Sequence, residues 1–248
     1  MTTRTKKVLI GAVITAVVAG AGGMWWLAHS LDAIVASAIR TMGPRITGVS
    51  VDLEGVTIAV REGRATLHGL VVGNPEGFKT DQAFSVGEVS LTLALDSLGH
   101  DVILIKRIAI EQPEVTYELG PGGSNLDAIQ HNVDRYVGGR AGGPKQTTGP
   151  DNGTKFVIED LSIRGAKATV GTSVVRTSTV AVPIPDVHLR DIGKRSGGAT
   201  AGDVVKQIVG ALTRNVTREV AKQSLGGAVE SLKGNAGATM DTLKGLLR

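Results

Sequence analysis

Residues 70–78 of the chain, LVVGNPEGF, begin as an apolar β-strand and end abruptly at a Gly-Asn-Pro break. Gly73 can adopt backbone angles that are closed to other residues, and Pro75 cannot donate a hydrogen bond to a sheet. Asn74 is biased away from helix because it precedes a proline. The stretch therefore predicts a corner that ends one hairpin, with Phe78 folding back onto the apolar face of the sheet. A ligand-binding role for the same loop is the alternative.

Alternation of apolar and polar residues on both sides of this corner predicts further strands. A turn at residues 61–64, REGR, joins the first two of them into a hairpin. Clean alternation is typical of an antiparallel sheet with one apolar face and one wetted face. The predicted strands of this first β segment are residues 49–60, 65–72, 86–95, 102–110 and 114–119.

One stripe of the predicted sheet places four aliphatic side chains on a single face: Val89, Leu91, Leu93 and Leu95. An aliphatic face of this kind is stable only when it is covered, because exposed apolar surface is unfavourable in water. The cover is core packing, a protein partner or the acyl chains of a lipid. We keep the four residues as lipid-contact candidates, with core packing as the alternative.

A composition change divides the rest of the chain. Residues 138–154 are rich in glycine, proline and polar residues without apolar periodicity, which is typical of a flexible linker. Strand patterns resume in a second β segment, residues 155–195. The pattern leaves open whether this segment joins the sheet of the first β segment. That first segment, residues 31–137, begins with a short helix, which Gly43-Pro44 is expected to end.

The last segment, residues 196–248, predicts amphipathic helices that the glycines at 226, 227 and 234 break. Thr200 and Asp203 form a capping-box pattern at the start. An apolar stripe then follows at helical spacing. The stripe consists of Val205, Val209, Leu212, Val216 and Val220. It faces either the sheet or a membrane surface.

The first 30 residues predict a membrane anchor. Residues 8–27 carry no charge, and as a helix they would span about 30 Å, the thickness of the hydrocarbon core. The basic tip at residues 1–7 keeps the N-terminus in the cytoplasm, so that the bulk of the chain is exported. Trp25 and Trp26 would then lie at the far interface. Removal of the segment as a signal peptide, after residues 28–30, is the alternative.

Composition and motifs argue against several classes of protein. The chain has no cysteine, which excludes disulfides and thiol chemistry, and its 27 Lys and Arg barely outnumber its 23 Asp and Glu. A nucleic-acid groove would need clustered basic residues. The five histidines lack metal-ligand spacing, and no nucleophile elbow or phosphate-binding loop is present. We expect no enzyme, no catalytic residue, no metal, no cofactor and no nucleic-acid partner.

The succession of these features resembles the AsmA-like family of bacterial envelope proteins, which is related to bridge-like lipid-transfer proteins. The likeness lies in LVVGNPEGF, VGEVSLTLALDSL, ILIKRIAIEQPEVTYEL and GGSNLDAI, followed after the linker by FVIEDLSIRGAKATV and VPIPDVHLRDIG. It implies a single-pass protein of the inner membrane with a cytoplasmic N-terminus and a periplasmic bulk. It also implies a curved sheet that forms an open, taco-like groove for phospholipid.

The predicted fold is mainly β with α: an N-terminal transmembrane helix, a curved antiparallel sheet and C-terminal amphipathic helices. The expected function is non-enzymatic, either the binding or transport of envelope lipid or a part in outer-membrane biogenesis. The alternative is a structural or interaction module of the envelope. In that case the C-terminal helix closes the sheet, and the partner is another envelope protein.

Overall fold

A computed structural model of the chain describes residues 31–141, 154–172 and 180–246. The predicted anchor, residues 8–27, lies outside the described residues, and so do Trp25 and Trp26. Most of the predicted linker, from residue 142 to residue 153, lies outside them as well. Among the helices of the described part, none has the length and hydropathy of a membrane span.

Within these ranges the chain is mainly β with α, as the sequence predicts. The α-helices are α1 (residues 31–47), α2 (Asn125–Ala141) and α3 (Ala201–Leu246). The strands are β1 (Val51–Asp52), β2 (Gly55–Ala59), β3 (Arg64–Gly73), β4 (Gln82–Leu93), β5 (Val102–Glu111), β6 (Glu114–Gly120), β7 (Gly123–Ser124), β8 (Lys155–Arg164), β9 (Lys167–Thr172), β10 (Val180–Pro183) and β11 (Val187–Ile192).

These strands form one open sheet. Its order is β10-β9-β6-β4-β5-β8-β11, and β3 pairs along the other side of β4. The two predicted β segments therefore share a sheet. The prediction of a wholly antiparallel sheet is wrong, because β8 runs parallel to β5 and β9 runs parallel to β6. A parallel pair needs a long crossover connection, which the segment containing α2 provides.

Neighbouring strands are interrupted at a common level, which we call the crease. The line of β5 and β6 breaks at Gln112, and the line of β8 and β9 breaks at Gly165. Both residues are left-handed, with φ of 51° and 62°, and the Gln112 N–H donates to the Arg164 carbonyl at 2.7 Å. Across the β3–β4 pair, Gly69 (φ 58°) lies opposite Gly87 at the same level. The alternation of buried and exposed residues is therefore interrupted at the crease and starts again on its other side.

Replacing Gly165 by alanine should destabilise the fold by about 1–2 kcal/mol, because a side chain is strained at positive φ. The new Cβ would also lie 3.3 Å from Cγ of Gln112. Gly87→Ala is the matched control on the same crease, since no atom lies within 4 Å of its Cβ position. Urea unfolding of both variants checks the expectation, and equal costs would contradict it.

The helix ends differ from the predictions. α1 runs through Gly43 to residue 47, so the predicted stop at Gly43-Pro44 is wrong. Gly43 packs closely against Val51, since a Cβ at Gly43 would lie 2.7 Å from the Val51 Cβ. Gly48, with φ of 71°, ends this helix instead. α2 includes residues 138–141, which the sequence assigns to the linker. α3 is a single helix, because the glycines that were expected to break it each cost only about 1 kcal/mol.

The predicted capping box forms at the start of α3. The Asp203 N–H donates to Oγ1 of Thr200 at 3.2 Å, and the Thr200 N–H donates to Oδ2 of Asp203 at 3.1 Å. α3 then packs beside α2, where Lys206 pairs with Asp134 at 2.8 Å. Both helices contribute side chains to the large apolar core on one face of the sheet.

Candidate apolar binding surface

The corner predicted from the Gly-Asn-Pro break is a hydrogen-bonded clamp. β3 ends at Gly73, and the Asn74 side-chain amide donates to the Thr80 carbonyl at 3.0 Å. The Asn125 amide, at the start of α2, donates to Oδ1 of Asn74 at 2.8 Å. Phe78 lies against Gly120 at the end of β6 and is not a member of the apolar core clusters. The corner thus ties β3 to α2, and the residues Gly73, Asn74, Pro75 and Phe78 have an architectural role here.

A buried carboxylate completes this clamp. Glu118 is 2% exposed and accepts hydrogen bonds from the Lys79 N–H (2.8 Å), the Thr80 N–H (3.0 Å) and the Thr80 hydroxyl (2.8 Å). Burial by itself would raise the pKa of Glu118, but these hydrogen bonds hold the pKa below its ordinary value. Its oxygens are directed at the loop backbone, so Glu118 is a structural anion. The alternation in the sequence predicts Glu118 on the wetted face of the sheet, and it does not reveal this structural role.

Exposure increases along the stripe proposed to contact lipid. Val89 is 5% exposed and belongs to the core, whereas Leu91 and Leu93 are partly buried and pack against that core. Leu95 is 45% exposed, but it does not lie in the strand. β4 ends at Leu93, and Leu95 begins a short 3₁₀ turn, so the prediction of a strand through Leu95 is wrong. Of the four stripe residues, only Leu91 and Leu93 lie in the strand and are also partly accessible to solvent.

Two neighbouring residues extend this accessible face across three strands. Leu93 pairs with Ile105 on β5, two residues from Ile103, and Ile103 pairs with Phe156 on β8. Ile103 and Phe156 are also partly buried against the same core. We call Leu91, Leu93, Ile103 and Phe156 the strand patch. Sequence reasoning missed Ile103 and Phe156 because it did not predict the parallel pairing that brings them beside Leu93.

Exposed apolar side chains continue beyond the strand patch in the adjoining turns. Val60, Leu95 and Leu98 are 41%, 45% and 41% exposed, and we call them the loop rim. The Leu93 N–H donates to the Gly63 carbonyl at 2.7 Å, which brings the turn containing Val60 beside the turn containing Leu95. The strand patch and the loop rim therefore lie at the same end of the sheet.

Helix α1 begins at this end as well. The Ile58 N–H of β2 donates to Oδ1 of Asp32 at 2.9 Å, which fixes the first turn of α1 against the edge strand. Leu31 and Ile34 in the same turn are exposed. Residue 31, the first described residue, therefore lies at this apolar end of the sheet.

The helical stripe of the C-terminal segment faces the sheet. Leu212, Val216 and Val220 are buried in the core, and Val205 and Val209 are partly buried against it. Because this face is occupied, these residues do not lie on a membrane surface. α3 therefore closes the part of the sheet formed by β8, β10 and β11, the strands that it contacts.

An open cleft of about 550 Å³ beside the end of β11 is a weaker candidate site. It is lined by Arg190, Asp191, Lys194 and Arg195, which are all exposed. A hydrogen bond from Lys194 to Asp191 at 2.8 Å raises the pKa of the lysine. Among the described residues that line this cleft, none is a buried polar residue.

Comparison with known proteins gives no matching family model and no matching curated protein. The AsmA-like resemblance therefore rests on the residues quoted above and stays a prediction.

Proposed function

We propose that the chain is a membrane-anchored, non-enzymatic envelope protein whose strand patch holds part of a phospholipid acyl chain. The observation that carries this proposal is the gradient of exposure from buried Val89 through partly exposed Leu91 and Leu93 of β4 to exposed Leu95 in the turn that follows. The apolar side chains become more exposed towards the end of the sheet where α1 begins, and the predicted anchor lies just before α1 in the sequence. The AsmA-like resemblance favours the same function, with the anchor in the inner membrane and the sheet in the periplasm.

The dimensions of the strand patch limit what it holds. Three strands span about 10 Å sideways, and the 12 residues of β4 extend about 40 Å, of which the patch uses the last part. Each methylene that it shields from water contributes about 0.8 kcal/mol. A surface of this size suits a segment of one acyl chain at the membrane. We therefore propose lipid binding at the anchoring membrane and not a conduit between two membranes.

Replacing Leu91 and Leu93 together by asparagine should weaken lipid binding roughly 100-fold, since two buried aliphatic contacts contribute about 3 kcal/mol. The full chain would be purified with exhaustive detergent exchange, and retained phospholipid per chain measured by mass spectrometry. Thr92→Asn is the matched control, because Thr92 lies between them on the opposite, polar face and pairs with Arg64 and Arg107. Thermal unfolding followed by circular dichroism would establish that each variant remains folded. Unchanged lipid in the double variant would refute the proposal.

A second candidate function has support from α3. Its side chains close part of the sheet, which is the arrangement expected of a structural module that binds an envelope protein. Deletion of residues 201–248 does not separate the two candidates, because Val216 and its neighbours belong to the core and the truncated chain should unfold in either case. The lipid content of the intact chain separates them, since a structural module needs no lipid.

A further inference from the structure

We infer that the loop rim and the first turn of α1 form a docking surface for the lipid bilayer itself. Of the large apolar residues that are exposed, among those whose side chains the structure describes, all but Leu119 lie at this one end of the sheet. They are Leu31, Ile34, Val60, Leu95 and Leu98. Single exposed apolar residues are ordinary, but several that are contiguous indicate an interaction surface. Leu119 lies across the crease, near the end of β6.

The occupant follows from the neighbouring sequence. Only three residues lie between Leu27, the end of the uncharged stretch, and Leu31, and the four Cα–Cα steps of this connection reach at most about 14 Å. The first turn of α1 is in turn fixed to β2 through Asp32 and Ile58. An anchor in the membrane therefore holds this end of the sheet, and not the end near Leu119, against the bilayer surface.

The chemistry of the turns fits apolar insertion better than attraction to charged lipid. Asp96 and Asp101 lie in the Leu95–Leu98 turn and its exit, and the other turn carries Arg61 and an ion pair between Glu62 and Arg64. These five residues have a net charge of −1, so the rim has no excess of cations to attract anionic lipid. We expect docking on both neutral and anionic bilayers. This inference rests on the anchor of the proposed function and not on lipid held by the strand patch.

The absence of cysteine from the chain makes a direct test simple, because a single introduced cysteine is the only labelling site. Full-length Leu95→Cys and Leu98→Cys variants, each carrying a nitrobenzoxadiazole fluorophore, would be reconstituted into phosphatidylcholine vesicles with and without phosphatidylglycerol. We expect quenching by spin-labelled lipids and severalfold slower reduction by external dithionite than for the matched Leu119→Cys label.

Two results would overturn the inference, and they are distinguishable. Chains that float with the vesicles but carry rim labels as accessible as the Leu119 label would exclude rim docking and leave the anchor intact. Chains that do not float at all would exclude the anchor, and with it both the proposed location and the docking. Lipid retention by the strand patch is read separately, from the Leu91 and Leu93 variants.

Discussion

Replacing Val216 by aspartate should destabilise the chain by at least about 4 kcal/mol and leave little folded protein, because an unpaired carboxylate would be buried. Val216 is fully buried in α3 and belongs to the same core as Leu161 and Ile163 of β8. A loss of this size is comparable to the whole stability of an ordinary domain, about 5–15 kcal/mol. Chemical unfolding and the soluble yield of the full chain measure it.

The matched control is Thr217→Asp, one residue further along the same helix on its exposed side. This variant should unfold within about 0.5 kcal/mol of the parent, since surface substitutions rarely cost more. If Val216→Asp proved as stable as Thr217→Asp, α3 would not cover the sheet. The apolar face over β8 would then be open, and the accessible surface would be far larger than the strand patch.

The second large effect is expected at the clamp. Glu118→Gln should lower the free energy of unfolding by about 2–4 kcal/mol at neutral pH, because hydrogen bonds to a buried charged group are each worth roughly 1.5–3 kcal/mol. Glutamine keeps only one acceptor oxygen, so its NH2 group would face either the Lys79 N–H or the N–H and hydroxyl of Thr80. Urea unfolding at pH 7 measures the loss.

The pH dependence of stability provides an independent test of the clamp. The folded-state pKa of Glu118 lies below its ordinary value of 4.5, so its stabilisation is complete above that value and is lost as the pH falls through the folded-state pKa. The parent chain should therefore lose stability in acid more steeply than Glu118→Gln, which has no carboxylate to protonate. Glu114→Gln, at an exposed position on the same strand, should retain the parent's acid dependence. Parallel acid profiles for parent and Glu118→Gln would show that the clamp does not depend on charge.

Local patterns in the sequence predict local structure well in this chain. The strand ends at Gly73 and the Thr200 capping box forms, because both features depend on residues that are neighbours in sequence. The contacts of the corner with Asn125 and Glu118 join distant segments, and local patterns do not predict them. The choice of the neighbouring strand in a sheet, in contrast, depends on residues that are far apart in sequence. Period-two alternation shows which residues share a face, but it does not reveal that β8 pairs in parallel with β5 after a long crossover.

Departures from regular backbone geometry are equally hard to predict from local sequence patterns. Gln112 adopts a positive φ although it is not glycine, and Gly165 interrupts a strand at the level where Gln112 does. Neither position is marked in the sequence as part of a crease across the sheet. The sequence predicts a helix stop at Gly43, but the helix continues, and Gly43 packs closely against Val51.

Only part of the candidate surface can be predicted from the sequence, because the exposure of a side chain depends on segments that are distant in sequence. The aliphatic stripe identified the correct face of β4, but exposure along the stripe depends on which neighbours cover it. Val89 is covered by the core and Leu95 turns out of the strand, so only Leu91 and Leu93 remain from the original four. Ile103 and Phe156 join them through strand pairing that alternation does not encode.

The most direct test of the central claim is a photocrosslink between the full chain and a phospholipid that carries a diazirine in its acyl chain. After illumination in reconstituted membranes, crosslinked peptides would be identified by mass spectrometry. Lipid held by the strand patch predicts crosslinks at Leu91, Leu93, Ile103 and Phe156, in addition to any in the first 30 residues, the first turn of α1 and the loop rim. Crosslinks that leave out all four strand-patch residues would contradict the claim and leave a sheet that is closed without lipid.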